Sequence, residues 1–183
     1  MMFTLDKKNT GVLIIDVQEK VFRAVERSMD ILHTIQLLIA GVKLLSLPIY
    51  LSEQYPEGLG TTIEGIRNIL PNNVTPLSKK SFSCWKNQGI RDAIIKSSIK
   101  QWILVGLETH VCVLQTAKDL KMNGFDVVVL NDAVSSRSLF DFSTAISEMK
   151  DGGIRVSCTE TVLFELFETS ETANFKALSE LLK

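Results

Sequence analysis

The chain has 183 residues, 45% of them hydrophobic and 22% charged, which suits a single soluble domain spanning residues 1–183 with a sizeable core. Its 20 Lys+Arg against 21 Asp+Glu leave a net charge of -1, so no basic excess marks a nucleic-acid binder or a protein held to an anionic membrane surface. The N-terminal Met-Met-Phe-Thr-Leu-Asp-Lys-Lys lacks the apolar core of a secretory signal, no apolar run reaches the roughly 20 residues that span a bilayer, and three cysteines cannot all pair within the chain. Free thiols in a reducing cytosol are therefore expected.

Strand-like and helix-like segments alternate. Gly11–Asp16 is a short β-branched run ending in a carboxylate, the pattern of a strand buried on both faces. Val21–Leu47 carries apolar residues at helical spacing and is halted by Pro48. Pro48–Ser52 reads as the second strand, Thr61–Leu70 as a short helix and Val74–Ser78 as the third strand. Ile90–Ser98 is helical, and Gln101–Gly106 is the fourth strand. A helix over Val111–Asn123 ends at Gly124, a residue suited to a left-handed C-cap. Phe125–Leu130 is the fifth strand, Leu139–Lys150 a helix, Ile154–Ser157 the sixth strand, and the remainder mostly helix.

Six strands separated by helices imply right-handed parallel crossovers. The expected fold is α/β, a three-layer doubly wound parallel six-stranded sheet in the order 3-2-1-4-5-6. Ligands bind beyond the carboxyl ends of such strands where the winding reverses, here between the first and fourth. Those strands lead into Asp16 and into Gly106-Leu-Glu-Thr-His-Val-Cys112.

Taken singly, the residues there have ordinary readings. Asp16 is either a polar turn residue or a base held in a partly desolvated crevice. Cys112 is either a small buried apolar residue or a nucleophile, and the helix start favours its thiolate and offers N–H groups to an oxyanion. Cys84 and Cys158 lack that setting. Lys79 and Lys80 read as solvated surface unless one turns into the crevice.

Their combination is similar to a known family. Gly106-Leu-Glu-Thr-His-Val-Cys-Val-Leu-Gln-Thr-Ala117 resembles the nucleophile motif of the isochorismatase-like cysteine hydrolases. Leu13-Ile-Ile-Asp-Val-Gln18 looks like that family's first strand with its Asp, and Lys79-Lys-Ser-Phe-Ser83 its Lys element, which selects Lys79 over Lys80. Asn131–Ser136 also agrees, and within the superfamily the small isochorismatase-domain-containing proteins are nearest in pattern, through Ser52–Gly60, Phe82–Trp85 and Thr159–Glu165.

The resemblance implies an Asp16–Lys79–Cys112 site in which Cys112 attacks a carbonyl carbon, Asp16 moves the proton and Lys79 bridges them. It places a cis peptide at Leu107–Glu108 and an oxyanion hole at the N–H groups of Glu108 and Cys112. The chemistry implied is hydrolysis of a small amide-like metabolite through an acyl-enzyme, in a homo-oligomer, with no cofactor. Nicotinamidase members hold a metal with Asp-x-His-x-x-His after strand two; here that stretch is Ser52-Glu-Gln-Tyr55, so no metal site is expected. His110, two residues before the nucleophile, reads as a pocket-lining or loop-fixing residue. Gln18, Tyr55, Phe82 and Trp85 join it as candidate pocket residues, and core packing explains the aromatics almost as well. The competing reading is a catalytically idle member that serves as an oligomeric interaction partner. RNA cleavage is the least supported, since neither a basic excess nor metal ligands accompany it.

Overall fold

Every residue of Thr10–Ile15 (β1) is buried, because its β-branched run is covered on both faces. The computed structural model describes residues 3–183; Met1 and Met2, which open the segment read as non-secretory, lie outside the described residues. In chain order there follow α1 (Glu19–Ala24), α2 (Ser28–Leu44), β2 (Ile49–Gln54), α3 (Pro56–Leu59), α4 (Glu64–Arg67), β3 (Pro76–Lys79), α5 (Gln88–Lys96) and β4 (Gln101–Leu107). A π-helical turn at Thr109–Val113 runs into α6 (Leu114–Met122). Then come β5 (Asp126–Ser135), α7 (Leu139–Asp151), β6 (Arg155–Ser157), α8 (Thr159–Phe167) and α9 (Phe175–Leu181). The strands are all parallel, in the order β3-β2-β1-β4-β5-β6.

Alternate residues of the central strands feed two cores, as a period of two requires. Val12, Ile14, Ile103, Val105 and Val128 face Ile31, Ile35, Leu38 and Val42 of α2 and Val162 and Leu166 of α8. Leu13, Ile15, Trp102, Leu104 and Val129 face Ile90 and Ile94 of α5, Ala117 and Leu120 of α6, and Ala145 and Met149 of α7. These are the three layers of the doubly wound fold. Among the described residues no helix is long and apolar enough to cross a membrane.

The fifth strand, expected over Phe125–Leu130, runs on to Ser135, and three helices also depart from the sequence pattern. The helix expected over Val21–Leu47 is two helices, broken where Arg27 takes a left-handed φ of 53°. The break is tied to the end of β5, since the Glu26 N–H donates to the Ser136 carbonyl and the Ser135 hydroxyl donates to the Glu26 carbonyl. The helix expected over Thr61–Leu70 shrinks to Glu64–Arg67, preceded by a turn of helix at Pro56–Leu59. The helix after β4 begins at Thr109 with a π turn rather than at Val111.

Gly106, at the carboxyl end of β4, has φ +117°, and a Cβ there would lie 2.0 Å from the Ile15 carbonyl oxygen. That oxygen belongs to backbone hydrogen-bonded in the central sheet, so it has little room to yield. Gly106→Ala combines left-handed strain with a backbone clash, and a loss of about 3 kcal/mol or more in unfolding free energy is expected in urea titration.

Candidate active site

Asp16 is the first residue beyond β1 and adopts a left-handed φ of 52°, which Asp tolerates far better than a β-branched residue. Its N–H donates to the Ser52 carbonyl at 3.1 Å, and its Oδ1 accepts from the Ser52 hydroxyl at 2.8 Å. Its other oxygen, Oδ2, accepts from Lys79 Nζ at 2.6 Å.

Lys79 is the last residue of β3, and its side chain is buried. Besides Asp16, its ammonium faces Gln54 Oε1 at 2.8 Å, the Phe82 carbonyl at 3.0 Å, the Ser81 carbonyl at 3.3 Å and Cys112 Sγ at 3.6 Å. Three N–H donors are shared among these acceptors, so the charge is fully engaged. Lys80, the neighbour that the sequence pattern left beside it, is exposed. Cys112 lies in the π turn and is 6% exposed. Strand order alone explains the meeting: β3, β2 and β1 are adjacent, and β4 feeds the π turn from the other side of β1.

Asp16 and Cys112 line a cavity of about 110 Å³ together with Gln54, Glu108, Phe82 and apolar groups from Val21, Leu59, Leu107 and Val111. The Leu107–Glu108 peptide is cis. The Glu108 carbonyl accepts from the N–H groups of Val111 and Val113, and its carboxylate accepts from the Arg137 backbone N–H and Nε, each at 3.0 Å.

Of the five candidate pocket residues, Phe82 lines this cavity. Gln18 is buried beside it as a brace: its amide donates to the carbonyls of Gln54 and Gly60, and its oxygen accepts from the Gln54 N–H. His110 Nδ1 meets Ser136 Oγ at 2.9 Å and so pins the π turn to the end of β5. Trp85 packs edge-on against Phe125 in the second core. Tyr55 is half exposed, with its ring laid over Gly58. Size and polarity singled these side chains out, but their direction depends on strand register.

Ser52 and Gln54 were overlooked as site residues, although both touch the charged pair. Register places them there, with Ser52 opposite Ile15 and Gln54 opposite Lys79. Cys84 is also close: its thiol donates to Ser52 Oγ at 3.5 Å and its N–H to Thr116 Oγ1 at 2.9 Å. Among the described residues no group of three or more His, Cys, Asp or Glu is placed to hold a metal ion.

Burial pushes the Cys112 thiol up, the Asp16 carboxylate adds to this, and Lys79 opposes both without cancelling them. The helix start by itself favours thiolate; here desolvation opposes it and favours the thiol. Burial pushes Cys84 in the same direction, from 9.0 to about 11. For Lys79, burial favours the neutral amine, but the Asp16 charge, joined by Cys84 and Cys112 once they ionise at alkaline pH, outweighs it and holds the ammonium above its ordinary value.

Comparison with known proteins gives a consistent set of relatives. The family model described as Isochorismatase domain matches residues 10–161. Isochorismatase domain-containing protein 1 of Salmo salar is 34% identical over 173 residues, covering 92% of this chain and 59% of that protein. The chain thus spans 59% of the length of that relative. The solved structure of MAR1 ribonuclease from Caenorhabditis elegans superposes with a TM-score of 0.93 at 33% identity, over 98% of this chain and 92% of that one. The YcaC gene product of Escherichia coli, described as an octameric hydrolase of unknown specificity, shares the fold with a TM-score of 0.93 at 23% identity, over 100% of this chain and 90% of that one.

Removing one member of the buried pair leaves the other uncompensated. Lys79→Met is expected to lower stability by about 3–5 kcal/mol in urea unfolding, with much of the loss recovered in the double variant Asp16→Asn/Lys79→Met. The raised thiol makes a separate prediction. The folded state binds the Cys84 proton more tightly than the unfolded chain does, so that stability is complete below about pH 9 and falls as pH rises toward about 11. The fall attributable to Cys84 is about 3 kcal/mol, and Cys84→Ala should flatten the alkaline limb of stability against pH by that amount.

Proposed function

This chain belongs to the isochorismatase domain family, and from that we propose that it is a cysteine hydrolase cleaving the C–N bond of a small amide-like metabolite through an acyl-enzyme on Cys112. Its fold is that of the family's hydrolases. The observation that carries the proposal is the meeting of three side chains at the carboxyl ends of β1, β3 and β4: Lys79 Nζ lies 2.6 Å from Asp16 Oδ2 and 3.6 Å from Cys112 Sγ, and Asp16 and Cys112 line one small cavity.

In the proposed cycle, Asp16 takes the thiol proton as the sulfur attacks the carbonyl carbon. The carbonyl oxygen gains charge and is held by the N–H groups of Glu108 and Cys112. Collapse expels the amine, which receives the proton from Asp16, and leaves a thioester. Asp16, again a carboxylate, takes a proton from water as it attacks the thioester. The second collapse releases the acid and the sulfur, which recovers its proton. Lys79 compensates the negative charge that moves between Asp16 and Cys112 and never gives up its own proton. With the thiol held high, proton transfer accompanies attack rather than preceding it. Self-association and action in a reducing compartment belong to the same proposal, the latter supported by three free cysteines.

The ribonuclease described from Caenorhabditis elegans raises a second reading, RNA cleavage. The cavity counts against it here: at about 110 Å³ it is well below the roughly 300–1,000 Å³ of ordinary ligand pockets, a size that suits a small acyl group.

p-Nitrophenyl acetate presents an acetyl group of that size. It should release a burst of about one equivalent of p-nitrophenol and leave an acetyl group on Cys112, detected by peptide mass spectrometry after acid quench. In Asp16→Asn, which lacks the carboxylate that takes the thiol proton, the burst should be slower by about 10²–10⁴-fold. Absence of any acyl group on Cys112 would sink the proposal and favour the idle interaction partner. RNA degradation that survives Cys112→Ala in nuclease-free protein would favour the second reading.

A further inference from the structure

The charge of the cavity wall narrows the substrate class. Asp16 and Glu108 line the cavity, and among the described residues none that lines it carries a positive charge. The nearest cation, Lys79, has its donors committed to Asp16, Gln54 and two backbone carbonyls. Arg137 does pair with Glu108, but unequally with respect to solvent: the Glu108 side chain is 12% exposed and that of Arg137 is 64% exposed. Water therefore screens the guanidinium far more than the carboxylate, and the buried member of the pair, on the residue that lines the cavity, is the negative one. The remaining wall, from Val21, Leu59, Phe82, Leu107 and Val111, is apolar.

We infer that this site takes small acyl compounds without negative charge and rejects those bearing a carboxylate, and that the Glu108 side chain determines this selectivity. The inference rests on Cys112 being the nucleophile, as proposed above. A carboxylate entering the cavity would lose its hydration, find no unengaged side-chain cation, and face two like charges. An uncharged amide meets none of these costs. Its N–H groups are suited to donate to the Glu108 carboxylate, which binds Arg137 through Oε2 alone. The role differs from that proposed for the Glu108 backbone N–H, so side-chain substitution addresses it separately.

Iodoacetamide and iodoacetate test this, because they are nearly isosteric and differ in charge. Each alkylates a thiol by displacing iodide, and the rate at Cys112 is followed by peptide mass spectrometry in a Cys158→Ser background. Rates are divided by those on 2-mercaptoethanol to remove intrinsic reactivity. The normalised preference for iodoacetamide should be about tenfold or more in the otherwise unaltered protein at low ionic strength. Glu108→Gln should bring it close to one, whereas Arg137→Gln, which leaves the carboxylate without its counter-charge, should widen it. A simple loosening of the loop would move both variants the same way. Equal normalised rates for the two reagents, or a shift of both variants in one direction, overturn the inference while leaving Cys112 a nucleophile. Failure of Cys112 to react with either reagent, in protein shown to be folded, removes the nucleophile reading and this inference with it.

Discussion

Lys79 brings a full positive charge to a place that water barely reaches, and the carboxyl end of the sheet is arranged to accommodate it. Its ammonium draws Asp16 to 2.6 Å, turns the carbonyls of Ser81 and Phe82 inward and orders the Gln54 side chain. Asp16 in turn is held by the Ser52 hydroxyl, and Ser52 accepts from the Cys84 thiol. A buried ion pair of this kind adds little net stability, since desolvation consumes most of the attraction. Its value lies in specificity of arrangement: once Lys79 is buried, few side-chain positions satisfy it, and Cys112 Sγ is brought to 3.6 Å as one of its neighbours.

That arrangement depends on how closely two strands approach. β1 is paired with β4 along the whole of β1, and Gly106 lies against the Ile15 carbonyl where no side chain fits. The chain leaves β4 through a cis peptide into the π turn, and the Glu108 carbonyl gathers two N–H groups of that turn. His110 fastens the same turn to Ser136, which also accepts from Glu26 at the break between α1 and α2. The loop that carries Cys112 is thus clamped from the sheet, from β5 and from α1–α2. The resulting cavity is small, and its polarity is set by a few side chains, so the charge of Glu108 weighs heavily in what enters.

Burial and neighbouring charge together account for the two behaviours of the titrating groups. Thiols at the site are pushed toward their neutral form because charge is poorly solvated there, and Asp16 reinforces this at Cys112. Lys79 moves the other way because three acidic neighbours surround it. In the proposed cycle, a thiol beside a carboxylate and an ammonium gives up its proton in step with attack.

The strand order was legible in the chain itself, because six apolar runs separated by helical periods leave few right-handed parallel arrangements. So was the position of Asp16 and Cys112 at the two central strand ends, since a strand that stops in a polar residue names its own edge. Residues whose neighbours lie far away in sequence were not legible. Ser52 and Gln54 look like any polar residues closing a strand, and only the register Ile15↔Ser52 and Gln54↔Lys79 turns them toward the charged pair. Trp85 and Tyr55 look like pocket walls by size, yet Phe125 and Gly58 claim their rings. The sequence by itself determined the fold class and the residue types able to do chemistry, because periodicity and residue chemistry are local properties. Only the tertiary structure decided which aromatic meets the cavity and which polar residues hold the charged pair, because burial and side-chain direction are set by neighbours distant along the chain.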